Sequence, residues 1–196
     1  MEAMEPTVFL GSAALVIGFL IFGSFFTETA AEVFNAMQTF IAETFGWFYV
    51  LSVSLFVGFV IWLWFSPYGD IRLGKDDSRP EFSYFAWFTM LFSAGMGIGL
   101  VFWGIAEPIT HYLAPPTVGA ETPEAAREAM RITFFHWGFH PWAVYIIFGL
   151  AIAYYHFRHG LPLAPRSMLY PVLGERFRGI VGHLMDILCT VGTLFG

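Results

Sequence analysis

Four stretches of this chain run for more than twenty residues without an Asp, Glu, Lys or Arg: Pro6 to Thr27, Thr44 to Gly69, Phe82 to Ala106 and Ile132 to Phe157. A helix needs about 20 apolar residues to cross the hydrocarbon core of a bilayer. In lipid the backbone must satisfy its own hydrogen bonds, which a helix does within one segment. The pattern therefore predicts an all-α integral membrane protein with four complete spans. Charged residues make up only 12% of the chain, against roughly 25% in soluble domains. That excludes a soluble enzyme, a nucleic-acid binder and a disordered tail, and the net charge of −6 argues separately against binding a phosphate backbone. The first run does not read as a secretory signal, because Glu2 and Glu5 precede it with no Lys or Arg. A fifth apolar run begins near Gly182 and is still in progress at Gly196, which predicts a fifth span cut short. The single cysteine, Cys189, has no internal disulfide partner.

Orientation follows from the nine Lys and Arg residues. The loop from Glu28 to Glu43 has none. The second loop holds Arg72, Lys75 and Arg79, the third Arg127 and Arg131, and the fourth Arg158, Arg166, Arg176 and Arg178. Placing the second and fourth loops in the cytoplasm puts seven basic residues inside and two outside, hence a cytoplasmic N-terminus by the positive-inside rule. In the acidic third loop, Thr122 followed by Pro123 has the form of an N-cap and first position of a short surface helix. The fourth loop carries Pro162, Pro165 and Pro171 and reads as extended chain with short helical turns.

Chemistry concentrates in the third and fourth spans. Ser93-Ala-Gly-Met-Gly-Ile-Gly99 places three glycines at alternate positions, each costing a helix about 1 kcal/mol against Ala. Two readings fit. Gly95 and Gly99 form a small-xxx-small pair suited to close helix packing; alternatively the helix is locally unwound, with freed carbonyls able to coordinate a cation and a half-helix N-terminus able to face an anion. Glu107 and Pro108 close the third run, where the acid would end the helix or line an outer vestibule. The fourth span opens with Phe134-Phe-His-Trp-Gly-Phe-His-Pro-Trp-Ala-Val-Tyr145. Trp137, Trp142 and Tyr145 can hold a cation over their ring faces, or form the aromatic belt found at membrane surfaces. Pro141 leaves the carbonyl of Trp137 without its usual donor, so a kink is expected there. His136 and His140, one turn apart, have the spacing for a metal or a haem edge, but the other three complete spans lack histidine. Asp186 reads as a boundary charge or a partner for an inner-loop Arg. Thr190 and Thr193 can offer oxygens to an ion or bond back to the preceding turn.

Gly95-Met-Gly-Ile-Gly-Leu-Val-Phe-Trp-Gly-Ile-Ala-Glu-Pro108, then His136-Trp-Gly-Phe-His-Pro-Trp-Ala-Val-Tyr145, with Asp186-Ile-Leu beyond, resembles the betaine/carnitine/choline transporter family. The resemblance covers essentially the whole chain. It implies the N-terminal part of a twelve-helix, inverted-repeat transporter with the leucine-transporter-type fold. Residues 1–80 would then be two peripheral helices and a cytoplasmic loop, and residues 81–196 the first three helices of repeat one. It implies secondary active transport of a quaternary ammonium solute by alternating access in the plasma membrane, with no enzymatic activity and no cofactor beyond sodium as coupling ion. Glycine betaine taken up for osmoprotection is the expected substrate, and a homotrimer the expected assembly. The substrate would be bound by Trp137, Trp142 and Tyr145, with Met96, Gly95 and Gly97 beside it. The carbonyls of Ser93 and Met96 would ligate one sodium ion and Thr193 a second. Gly99 occupies the position where proton-coupled choline carriers have Asp, which favours sodium. A proton-coupled choline or exchange-type carnitine transporter of the same family is the near alternative. Two readings from other classes are a haem-binding redox subunit using His136 and His140, and a non-transporting sensor on the same scaffold.

Overall fold

The structure, a computed structural model, describes residues 5–95 and 97–195, which form helices joined by loops with no strand among them. Helix α1 covers Pro6–Phe25 and α2 covers Thr27–Phe65. Helices α3 (Tyr84–Gly95) and α4 (Ile98–Leu113) follow, then α5 (Pro123–His136) and α6 (Phe139–Ala153). A single π-helical turn at Tyr154–Arg158 leads into the short helix α7 (Tyr170–Leu173), flanked by 3-10 turns at Pro165–Leu169 and Gly174–Arg178, and then α8 (Ile180–Phe195). Within the described residues, three helical segments are long and apolar enough to cross a membrane, or four when α3 and α4 are counted as one bent span.

Burial is inverted relative to a water-soluble protein. Phe25, Trp64, Phe65, Phe85, Val101 and Phe139 are exposed. The buried set is dominated by small and polar side chains, among them Ser12, Ala30, Glu107, Ala125, Ala129, Ala143 and Asp186. Small residues let helix backbones approach closely, and large apolar ones suit contact with lipid.

The first loop is the clearest departure from the sequence reading. Residues 28–43 are helical and continuous with the second apolar run, giving a helix of 39 residues. The stretch contains Ala, Glu, Met and Gln but no Gly or Pro, so nothing in it stops a helix. At 1.5 Å per residue α2 is about 58 Å long, nearly twice the hydrocarbon thickness. The chain bends back at Phe26 (φ −125°, ψ 46°), which lets Phe34 of α2 pack on Phe19 and Phe22 of α1 at ring separations of 5.0 and 6.0 Å.

Thr122 caps α5 through its Oγ1, which accepts from the Ala125 amide at 3.1 Å, with Pro123 at the first position. The helix runs on to His136, beyond the short surface turn expected, because its buried face of Ala125, Glu128, Ala129 and Thr133 repeats at helical spacing and α5 packs against α4. The carboxylate of Glu128 accepts from the Thr117 hydroxyl. Arg158 ties the end of the π turn to the second loop. Its Nη1 donates to the carbonyls of Arg72 and Gly74 at 3.1 and 3.0 Å, and its Nη2 pairs with Asp76 at 2.9 Å. In the fourth loop, Ser167 and Phe177 are fully buried. Asp186 of α8 accepts from the Arg166 amide at 2.8 Å and pairs with its guanidinium at 3.3 Å, so of the two roles expected for it the structure supports pairing with a loop Arg.

Candidate functional site

Two helix breaks face each other across a cleft. The first separates α3 from α4: α3 ends at Gly95, Gly97 is extended (φ −64°, ψ −162°), and the two halves are inclined by 42°. Met96, expected at both the substrate and the sodium site, lies outside the described residues. The second break is at Trp137–Gly138, between α5 and α6. Pro141 falls in the first turn of α6, where a backbone N–H would have no intrahelical acceptor in any case. The carbonyl of Trp137 accepts instead from the Trp142 indole at 3.1 Å. The expected kink is thus a short interruption, and a side chain supplies the missing donor.

The cleft between the breaks measures about 970 Å³. Its glycine end is formed by Gly95, Gly97 and Gly99. One wall is a stripe of α4, Trp103, Glu107 and His111, at successive four-residue intervals. Facing it are His136, Trp137, Pro141 and Tyr145. Of the three aromatics singled out from the sequence, Trp137 and Tyr145 line the cleft. Trp142 stands behind them, its ring 5.9 Å from that of Tyr145 and so close to Gly95 that a Cβ there would lie 3.0 Å from it. The glycine stretch therefore serves close packing and a break at once.

Glu107 is the residue that sequence reasoning underrated. Neither it nor Pro108 ends the helix: α4 continues to Leu113 with Pro108 inside it, at the cost of one hydrogen bond to the Gly104 carbonyl. The Glu107 side chain is buried, at 8% exposure. Its Oε2 accepts from the Trp137 indole at 2.6 Å, and His136 Nδ1 lies 2.8 and 2.9 Å from its two oxygens. His111 Nε2 approaches to 3.5 Å from one turn further along α4. A buried carboxylate is costly unless hydrogen-bonded, and these donors come from two helices. The recurrence of Trp103, Glu107 and His111 at i, i+4, i+8 was the signal available in the sequence.

The remaining candidates lie elsewhere. Neither Ser93 nor Thr193 is among the residues lining the cleft. The Thr193 hydroxyl donates to the Cys189 carbonyl, and that of Thr190 to the Asp186 carbonyl, each at 2.8 Å. His136 and His140 turn to different partners, His136 to Glu107 and His140 to the ring of Phe135 at 4.8 Å. Among the described residues no group of three His, Cys, Asp or Glu is placed to hold a metal.

Comparison with known proteins decides the family. The family model for betaine/carnitine/choline family transporters matches residues 7–196. The chain belongs to this family. It is 46% identical over 195 residues to a probable glycine betaine transporter of Desulfitobacterium hafniense, covering 100% of this chain and 39% of the relative. It is 48% identical over 191 residues to the glycine betaine transporter OpuD of Bacillus subtilis, covering 97% of this chain and 37% of the relative. To the high-affinity choline transport protein of Escherichia coli it is 41% identical over 195 residues, covering 100% of this chain and 29% of the relative. The chain thus spans two fifths or less of the length of these curated relatives. A betaine/carnitine/choline family is one of transporters and not of enzymes, and the all-helical, lipid-suited surface of this member agrees with a membrane-spanning protein.

Proposed function

We propose that this chain belongs to a secondary active transporter that takes up glycine betaine with sodium by alternating access. The observation that carries the reading is the pairing of a broken, glycine-rich span with Trp137 and Tyr145 across one cleft. A quaternary ammonium group has no hydrogen to donate, so ring faces are its natural partners, each worth about 2 kcal/mol when desolvated. Trp142 supports the other two from behind. The relatives named as glycine betaine transporters make that solute the first to test.

In this reading residues 1–80 are peripheral and residues 81–196 begin the first of two inverted repeats in a twelve-helix, leucine-transporter-type fold. The N-terminus and the second and fourth loops are cytoplasmic, and the membrane is the plasma membrane. The carbonyls of Ser93 and Met96 would hold one sodium ion, with Thr193 contributing to a second site. Bound sodium would favour the substrate-competent state through its differential affinity for the two conformations. Osmoprotection is the physiological role that fits a betaine carrier.

The test is uptake of labelled glycine betaine by cells expressing the protein at full length, with sodium present or replaced. Trp137→Ala or Tyr145→Ala is expected to raise KM by about 30-fold, the loss of one desolvated cation–π contact. Wild-type KM in both variants would remove the aromatic site from the reading. A second reading is a proton-coupled choline transporter or an exchange-type carnitine transporter of the same family, the choline form being favoured by relatives named as choline transporters at 41 and 45% identity. Gly99→Asp separates the coupling modes: under sodium coupling it should weaken sodium dependence, and unchanged sodium dependence would count against Gly99 as the discriminating position.

A further inference from the structure

The break between α5 and α6 leaves Trp137 without a regular helix on its C-terminal side. Two torsions set the direction of an indole, and at a helix break the following turn does not constrain them. Here three polar contacts tie the junction down. The Trp137 carbonyl takes the Trp142 indole, the Trp137 indole donates to Glu107, and His136 engages the same carboxylate. Glu107 comes from α4, the opposite wall of the cleft, and at 6% exposure it has little water to turn to. An acid in a membrane segment is expensive and is kept there for a task.

We propose that Glu107 is a positioning residue for solute binding: by accepting the Trp137 indole N–H, it fixes the ring that faces the cleft, and His136 and His111 hold the carboxylate in place for that purpose. This rests on the reading that Trp137 contacts the solute. The indole Nε1 projects to one side of the Cβ–Cγ bond, so a short hydrogen bond there selects one orientation of the ring about that bond and excludes the flipped one. The contact also joins the wall of α4 to the wall of α5 and α6, so the width of the cleft at Trp137 is set by the same bond.

A double-mutant cycle in the full-length protein tests this, reading KM and Vmax for glycine betaine uptake against membrane abundance measured on the same cells. Glu107→Ala is expected to raise KM about tenfold, the loss of one charge-assisted hydrogen bond, with a smaller change in Vmax per transporter. Trp137→Phe keeps a ring and removes the donor, and should raise KM comparably. If Glu107 acts through the indole, the double variant is no worse than either single one. Glu107→Gln, whose amide oxygen still accepts, should recover most of the affinity. If the alanine variant does not reach the membrane, Glu107→Leu, which fills the space without an acceptor, takes its place in the cycle. Multiplying KM effects, or a fall in Vmax with KM intact, would overturn the positioning role. Trp137→Ala distinguishes the two levels. An unchanged KM there removes the aromatic site itself, whereas a raised KM there beside an unchanged KM in Glu107→Ala removes only the inference about Glu107.

Discussion

Gly95 lies against the six-membered ring of Trp142, and a Cβ there would approach two ring carbons at 3.0 and 3.1 Å. Trp142 cannot swing away freely because its indole is bonded to the Trp137 carbonyl. Gly95→Val should therefore displace Trp142 and raise KM for the solute, with Gly95→Ala milder; uptake kinetics on both variants check the order. Gly182 is constrained more severely, since a Cβ there would run into the backbone carbonyl of Phe177. Backbone has little room to yield, so Gly182→Ala should destabilise by about 3 kcal/mol, the upper end of ordinary overpacking, measurable as a lower melting temperature in detergent. At this scale the sequence was readable wherever the cause is local. The Thr122–Pro123 start of α5 needs only four consecutive residues, and it is where the pattern put it. The setting of Glu107 was not readable, because its partner Trp137 is 30 positions away and the contact depends on which faces of α4 and α5 meet.

Among the elements, the 39-residue α2 shows what a charge-based reading misses. Glu28, Glu32 and Glu43 marked the segment as a loop, yet charges on a helix that has left the hydrocarbon core cost nothing in backbone geometry. Span positions were legible because lipid imposes a hard length; the extension was not, since water tolerates loop and helix alike. Arg158 gives an element-scale prediction. It joins the π turn to the loop at 72–76 through two carbonyls and one carboxylate, a fork that Lys cannot reproduce. Arg158→Ala should release that loop and speed trypsin cleavage after Arg72 and Lys75 in inside-out vesicles, and Arg158→Lys should recover little of the protection.

For the whole molecule, the contact from Arg158 to Asp76 requires the second loop and the end of α6 to share one face of the membrane. In a full-length background with every native cysteine, Cys189 included, replaced by Ser, Ser78→Cys should react with an impermeant maleimide only from the cytoplasmic side, and Thr117→Cys only from outside. Reaction of both from one side would overturn the topology proposed above. Arg158 also bears on how the walls of the cleft can move. Helix α6 is fastened at both its ends, by Glu107 of α4 at the Trp137–Gly138 break that precedes it and by Arg158 to the α2–α3 connection after it. A rod pinned at two points cannot rock alone, so whatever tilts α6 must carry α4 and that connection with it, as a yoke carries both of its arms.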